Sequence, residues 1–465
     1  MNQARFKTIF FSIATPMLIA LFLRIAFLGY ESLWADEVVT IRDSLKPITD
    51  IVNQRWDPHP PLYYLLLHYW LKLDQSDAFT RLPSVIFGVT SVWLIYQIGL
   101  RLASRRAAWF MAMLLAVSPL HIWYSQETRM YAMVVMWALA STFLWILLLQ
   151  ERYKSLWVWV GYIVTTCLGL YTHYSMLLIV IGQNLFVLAR WVARAKGRSQ
   201  YPLKYWLVSQ LMLVLLYIPW SRELPNHWQV IRDSTDYPLW ILSTPPALFT
   251  GFLLGIVAFV LLVLWLRKPE VFSKRVVRYA VYVFLIATVV LFLGFTAMAM
   301  TNRMTTIKRQ TLILFPLLII LLVFLWSYQG KRWQYGVATL VIITFLATCI
   351  NMITYQKPRW REAVAFVQEQ ASANDGIVLN PSWINGPFSY YVQQNGEGSA
   401  LPLSEPQVVP LQDAHETTWL IVNTKHELWQ DPDHEVRNWL LSHYELSETT
   451  QFGELEVIRF QNFAP

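Results

Sequence analysis

Long apolar runs, separated by short polar turns, pattern the first three quarters of the chain. A run of about 18 or more apolar residues is long enough to cross a bilayer as a helix. Runs of this kind fall at about 8 to 29, 79 to 100, 107 to 123, 130 to 149, 157 to 172 and 175 to 192. They continue at about 204 to 220, 246 to 266, 277 to 300, 310 to 327 and 333 to 354. The pattern predicts a polytopic α-helical membrane protein of about 11 transmembrane helices. The first run begins like a signal peptide, but it is too long and lacks a small-residue cleavage site, so it reads as a retained helix. From about residue 357 the pattern changes. PRWREAVAFVQEQ and DHEVRNWLLSHY have helical periodicity, GIVLNP and TWLIVNT read as buried strands, and ELEVIRF alternates as a final strand. The expected division is a membrane domain over 1–356 and a small α/β domain over 357–465.

Charge gives the runs their sides. Arg5, Lys7, the RLASRR turn, RWVARAKGRSQ and RKPEVFSKRVVR are rich in Lys and Arg, which marks cytoplasmic turns. The external side then receives a long loop over 30–78, with an interfacial helix near Leu62 to Leu73, and the tail from 357 onward. One external loop breaks the rule, with Arg303, Lys308 and Arg309 close together. The composition agrees with a membrane protein: 56% of residues are hydrophobic and 14% charged, against about 25% charged in soluble domains. The net charge of +8 follows from the inner turns and is no sign of nucleic acid. Two cysteines, Cys167 and Cys349, exclude a disulfide framework.

The chemistry concentrates in WADEVVTIRDSLKPITDIVNQRWDPHPPLYY, directly after the first run. A carboxylate beside hydrocarbon is costly unless paired, hydrated or used. Asp36 and Glu37 are adjacent acids at the end of the first helix, suited to general-base work or to ordinary interfacial solvation. Asp57 and His59 precede a proline pair, and the imidazole is fit to hydrogen-bond a phosphate. No second His stands at metal-ligand spacing. Glu127, Arg129 and Tyr131 lie in a polar wedge between two apolar runs, and His173 sits between Tyr171 and Tyr174 on the same predicted face.

WADE after the first helix, HPPLYY, TRLPSVIFG, SQETRMYA and the WREA opening of the tail together resemble the family-C (GT-C) polytopic membrane glycosyltransferases. The resemblance is to bacterial relatives of protein O-mannosyltransferases and aminoarabinose transferases. It implies a GT-C-like fold with an extracytoplasmic α/β tail, in the bacterial cytoplasmic membrane. It also implies transfer of a sugar from a polyprenyl-phosphate donor to a hydroxyl acceptor, with Asp36 as the base and Glu37 orienting it. Arg129, Arg303, Lys308 and Arg309 would hold the donor phosphate. Asp57, His59, Glu127, Tyr131 and His173 complete the substrate-binding candidates. Tyr63 departs from the Gly common in the O-mannosyltransferases, which counts against protein as the acceptor; the acceptor classes are glycan, lipid or protein. No cofactor is required by the sequence, and a divalent cation stays open. The competing class is a lipid or polysaccharide transporter without covalent chemistry.

Overall fold

The structure, a computed structural model, describes residues 12–53, 57, 59–150, 155–192, 203–233, 312–327, 332–354, 357–372, 375–394, 416–425, 427, 431 and 433–462. The expected spans at 246–266 and 277–300, and Arg303, Lys308 and Arg309, lie outside the described residues. The chain folds as two compact units, Met1–Ala26 with Lys46–Trp70 and Arg81–Thr348, and Phe27–Leu45 with Leu71–Thr80 and Cys349–Pro465. This division does not follow the sequence boundary at 356/357, because two short segments near the first helix join the tail.

In the first unit the apolar runs are helices. Asp77–Leu102, Tyr131–Leu149 and Leu203–Ser221 are long and apolar enough to cross a membrane. Ala14–Ile25, Leu156–Leu170 and Trp333–Thr354 are further apolar helices, and Phe315–Trp326 follows a 3-10 turn at Leu312–Leu314. The chain is a multi-pass membrane protein. The run expected as one helix over 107–123 is instead two, Arg105–Ala116 and Pro119–Ser125, bent by 60°. The reason is local. Pro119 has no N–H to give to the preceding turn, and the Ser118 hydroxyl accepts the His121 N–H at 3.2 Å as the cap of a new helix.

The second unit is built on a four-stranded sheet of order β1-β2-β4-β3, with β1 at Gly376–Asn380, β2 at Thr417–Asn423, β3 at Tyr444–Phe452 and β4 at Leu455–Asn462. β1 and β2 are parallel, and β4 pairs antiparallel with both β2 and β3. Gly453, at φ +64°, supplies the left-handed turn of the β3–β4 hairpin. Val378, Leu420, Val422, Leu440, Tyr444, Ile458 and Phe460 form a core on one face. Phe366 of helix Trp360–Gln370 packs edge-on against Trp419 from β2.

The loop expected over 30–78 is largely helical. Ala35–Ser44, Ile48–Val52 and Leu62–Trp70 are helices, the last close to the expected interfacial one. Ala35–Ser44 belongs to the second unit and packs against helix Asn385–Gln394.

Candidate functional site

Asp36 and Glu37 occupy the first turn of helix Ala35–Ser44, where carboxylates complement the open N–H groups and the dipole of a helix start. Glu37 is fully buried. Its carboxylate accepts the Trp34 main-chain N–H at 3.3 Å, as the third residue of a capping box does, and also pairs with the Lys357 ammonium at 3.3 Å. The Lys357 main-chain N–H donates to Glu31 Oε1 at 3.3 Å. A second anchor in the same unit is Asp77, whose Oδ2 accepts from Arg361 at 2.5 Å and from the Tyr391 hydroxyl at 2.6 Å. The Tyr391 oxygen accepts the Leu33 N–H at 2.7 Å. Burial, then Asp77, push the Tyr391 hydroxyl well above the usual range, so it stays a donor. The acidic helix is therefore fastened at its N-terminus by groups from the tail. Asp36, one residue before Glu37, is half-buried in that frame.

The first unit gathers a different set. The Asp57 carboxylate accepts from the Tyr64 hydroxyl and pairs with His59 Nδ1. The His59 ring lies 5.5 Å from that of His173, which lies 5.7 Å from that of Tyr131. The guanidinium of Arg129 stands 5.8 Å from the Tyr131 ring centre. Burial opposes ionisation of Asp57, but His59, Arg129 and the Tyr64 hydroxyl outweigh it and hold the carboxyl well below the usual carboxylate range. For His173, burial first, then His59 and Arg129, lower the pKa to about 3. Its ring is therefore neutral. Because Nδ1 accepts the Ser175 N–H at 3.0 Å, the assigned tautomer carries its proton on Nε2. Beside this set, the Tyr174 hydroxyl, pushed up to about 12 chiefly by burial, meets His227 Nδ1 at 2.6 Å and accepts from Trp220 Nε1 at 3.3 Å.

The structure thus brings Asp57, His59, Arg129, Tyr131 and His173 together. Glu127 is buried in the same turn as Arg129, whose main-chain N–H donates to the Glu127 carbonyl at 2.8 Å. Asp36 and Glu37 belong to the second unit. Sequence reasoning missed Tyr64, Tyr174, His227 and Lys357. HPPLYY pointed to the segment that holds Tyr64, whereas nothing local marks Lys357, which meets Glu37 across 320 positions of chain. Among the described residues, no group of three or more His, Cys, Asp or Glu could hold a metal ion. Chemically, the first-unit cluster offers a guanidinium, a carboxylate and a neutral imidazole N–H donor, a set suited to a phosphorylated, hydroxyl-bearing ligand.

Residues 58–220 match the family described as dolichyl-phosphate-mannose-protein mannosyltransferase. No curated protein matches the chain in sequence. Among solved structures, the chain is similar to ArnT from Cupriavidus metallidurans bound to undecaprenyl phosphate. The identity there is 12%, the TM-score 0.55, and 96% of this chain and 97% of that one are covered. It is also similar to the Archaeoglobus fulgidus oligosaccharyltransferase in complex with zinc and sulfate, at 12% identity and TM-score 0.52, over 97% of this chain and 73% of that one. A third is AglB from Archaeoglobus fulgidus in complex with an inhibitory peptide and a dolichol-phosphate, at 10% identity and TM-score 0.50, over 97% and 74%.

Proposed function

From the premise that this chain has the fold of the family-C membrane glycosyltransferases, we propose that it transfers one sugar from a polyprenyl-phosphate donor to a hydroxyl acceptor. The observation that carries the reading is one of position. The segment matched by the mannosyltransferase family, 58–220, contains every member of the first-unit cluster except Asp57. In the reaction, the acceptor oxygen bonds to the anomeric carbon of the sugar. The bond from that carbon to the phosphate oxygen breaks, and polyprenyl phosphate leaves with both electrons. Asp36 takes the acceptor proton. Arg129 holds the donor phosphate, and the external cations Arg303, Lys308 and Arg309 are further candidates for that role. Tyr131, Asp57, His59 and the His173 N–H bind sugar hydroxyls or orient Arg129, with Glu127 supporting the turn. The carboxylate, imidazole and guanidinium are groups of the kind that supply proton transfer and charge stabilisation in such a displacement.

The chemistry sits on the extracytoplasmic side of a bacterial cytoplasmic membrane, about eleven helices span it, and the α/β tail lies outside. The test is incubation of purified protein in liposomes with polyprenyl-phosphate-linked sugars carrying a radiolabelled glycosyl group. Appearance of free polyprenyl phosphate together with label on an acceptor supports the reading. Movement of intact donor between leaflets, with no cleavage across donors and envelope acceptors, would favour transport and overturn it.

A further inference from the structure

Arg24 lies in the apolar helix Ala14–Ile25 and is fully buried. A charge inside a membrane helix is costly and marks a task. All five of its N–H bonds are directed to acceptors. Nε donates to Ser125 Oγ at 3.3 Å, Nη1 to the carbonyls of Ala20 and Ala116 at 3.1 and 3.0 Å, and Nη2 to the Leu115 carbonyl at 3.2 Å and to His121 Nδ1 at 2.8 Å. Leu115 and Ala116 end the first half of the bent pair, where carbonyls lose their helical partners. Thr348 covers the next carbonyl, that of Val117, at 2.5 Å. The converse arrangement is also present. Gln126, directly after the second half of the bent pair, donates its amide N–H groups to the Leu23, Arg24 and Ala26 carbonyls at 3.3, 3.2 and 2.9 Å. Each element thus seals the open end of the other with one side chain. A Cβ on Gly88 would meet Ser125 Oγ at 2.3 Å and Arg24 Nε at 3.0 Å, so the node has no slack.

Gln126 begins the turn that carries Arg129. The far end of that turn is also held, since the Arg129 carbonyl accepts from Ser84 Oγ at 3.2 Å and Ser84 Oγ meets the Tyr63 hydroxyl at 3.0 Å. We infer that Arg24 and Gln126 are positioning residues, a reciprocal helix-end clamp that fixes the 127–131 turn and with it the Arg129 guanidinium for the donor phosphate. The inference rests on the donor reading of Arg129 given above. It adds to it a buried arginine and a glutamine that act through Arg129.

The experiment titrates polyprenyl-phosphate sugar donor against Gln126→Ala, Arg24→Lys and Gly88→Ala, each alone and combined with Arg129→Ala, with acceptor saturating. Each single variant should raise the donor KM about tenfold, the scale expected when one charge-assisted hydrogen bond to the phosphate is broken, with the acceptor KM unchanged. In the Arg129→Ala background the same changes should add little, because a residue acting through Arg129 has nothing left to position. A wild-type donor KM in Gln126→Ala, or equal increments in both backgrounds, overturns the clamp while leaving Arg129 in its role. A wild-type donor KM in Arg129→Ala overturns the donor reading itself. Failure of all three single variants to fold would make the node a stability device and also overturn the positioning role.

Discussion

At the scale of single residues, two adjacent carboxylates have different surroundings and should behave differently. Glu37 is buried, caps its helix and pairs with Lys357, whereas Asp36 is half-buried. Asp36→Asn keeps the shape and removes the proposed base, so glycosyl transfer should fall about a hundredfold or more while the variant elutes as folded protein. Wild-type turnover would return the role to another acid. His173 gives a second prediction, through pH. Its folded-state pKa of about 3 lies below the unfolded value of about 6.5. Between those values the unfolded chain binds the proton and the folded chain does not, so the contribution of this group lowers stability as pH falls through that window. The slope contributed by this one group is at most about 1.4 kcal/mol per pH unit. Thermal unfolding in detergent from pH 7 to 4 should show the decline, and His173→Gln should flatten it. Equal slopes in the two proteins would place the titration elsewhere. In the same acid range Asp57 acts in the same direction. Its carboxyl is held down in the folded state, so its contribution is complete above the ordinary carboxyl value and disappears as pH falls below it.

At the scale of elements, what the sequence reveals depends on which neighbour each element meets. The spans at 130–149 and 333–354 are legible because lipid and apolar neighbours demand an unbroken apolar run, and the observed helices Tyr131–Leu149 and Trp333–Thr354 match them within a residue. The break after Ala116 escapes the apolar pattern because the run stays apolar through it, although Ser118-Pro119 is a helix-start signal. The helix Ala35–Ser44 looks like loop in the sequence because it buries Glu37, Thr40, Asp43 and Ser44 as well as Val38 and Ile41, so no apolar stripe marks it. Strand β3 is hidden for the opposite reason: as an edge strand exposed along most of its length it shows no alternation. Lys357 and Glu37 supply the test at this scale. Lys357→Met leaves a buried carboxylate without its cation and should cost about 3–5 kcal/mol of stability. Adding Glu37→Gln, whose amide oxygen still caps the helix, should restore most of that stability. Turnover in the double variant near wild type would make Glu37 a fastening group. A folded but inactive double variant would put its charge in the chemistry.

At the scale of the whole molecule, the prediction is the side on which the tail lies. Ser447 is exposed on β3, and Ser447→Cys in a background lacking Cys167 and Cys349 should react with an impermeant thiol reagent in intact spheroplasts. Protection until lysis would reverse the orientation. The fastening of the acidic helix has a consequence in time. Leu33, Glu37 and Asp77 are made before their partners Tyr391, Lys357 and Arg361, which lie 358, 320 and 284 positions later. At a synthesis rate of about 5–20 residues per second, the acid-bearing segment waits on the order of tens of seconds for its fastening groups. A nascent chain arrested before residue 357 therefore carries Asp36 and Glu37 in a segment whose fastening groups have not yet been made.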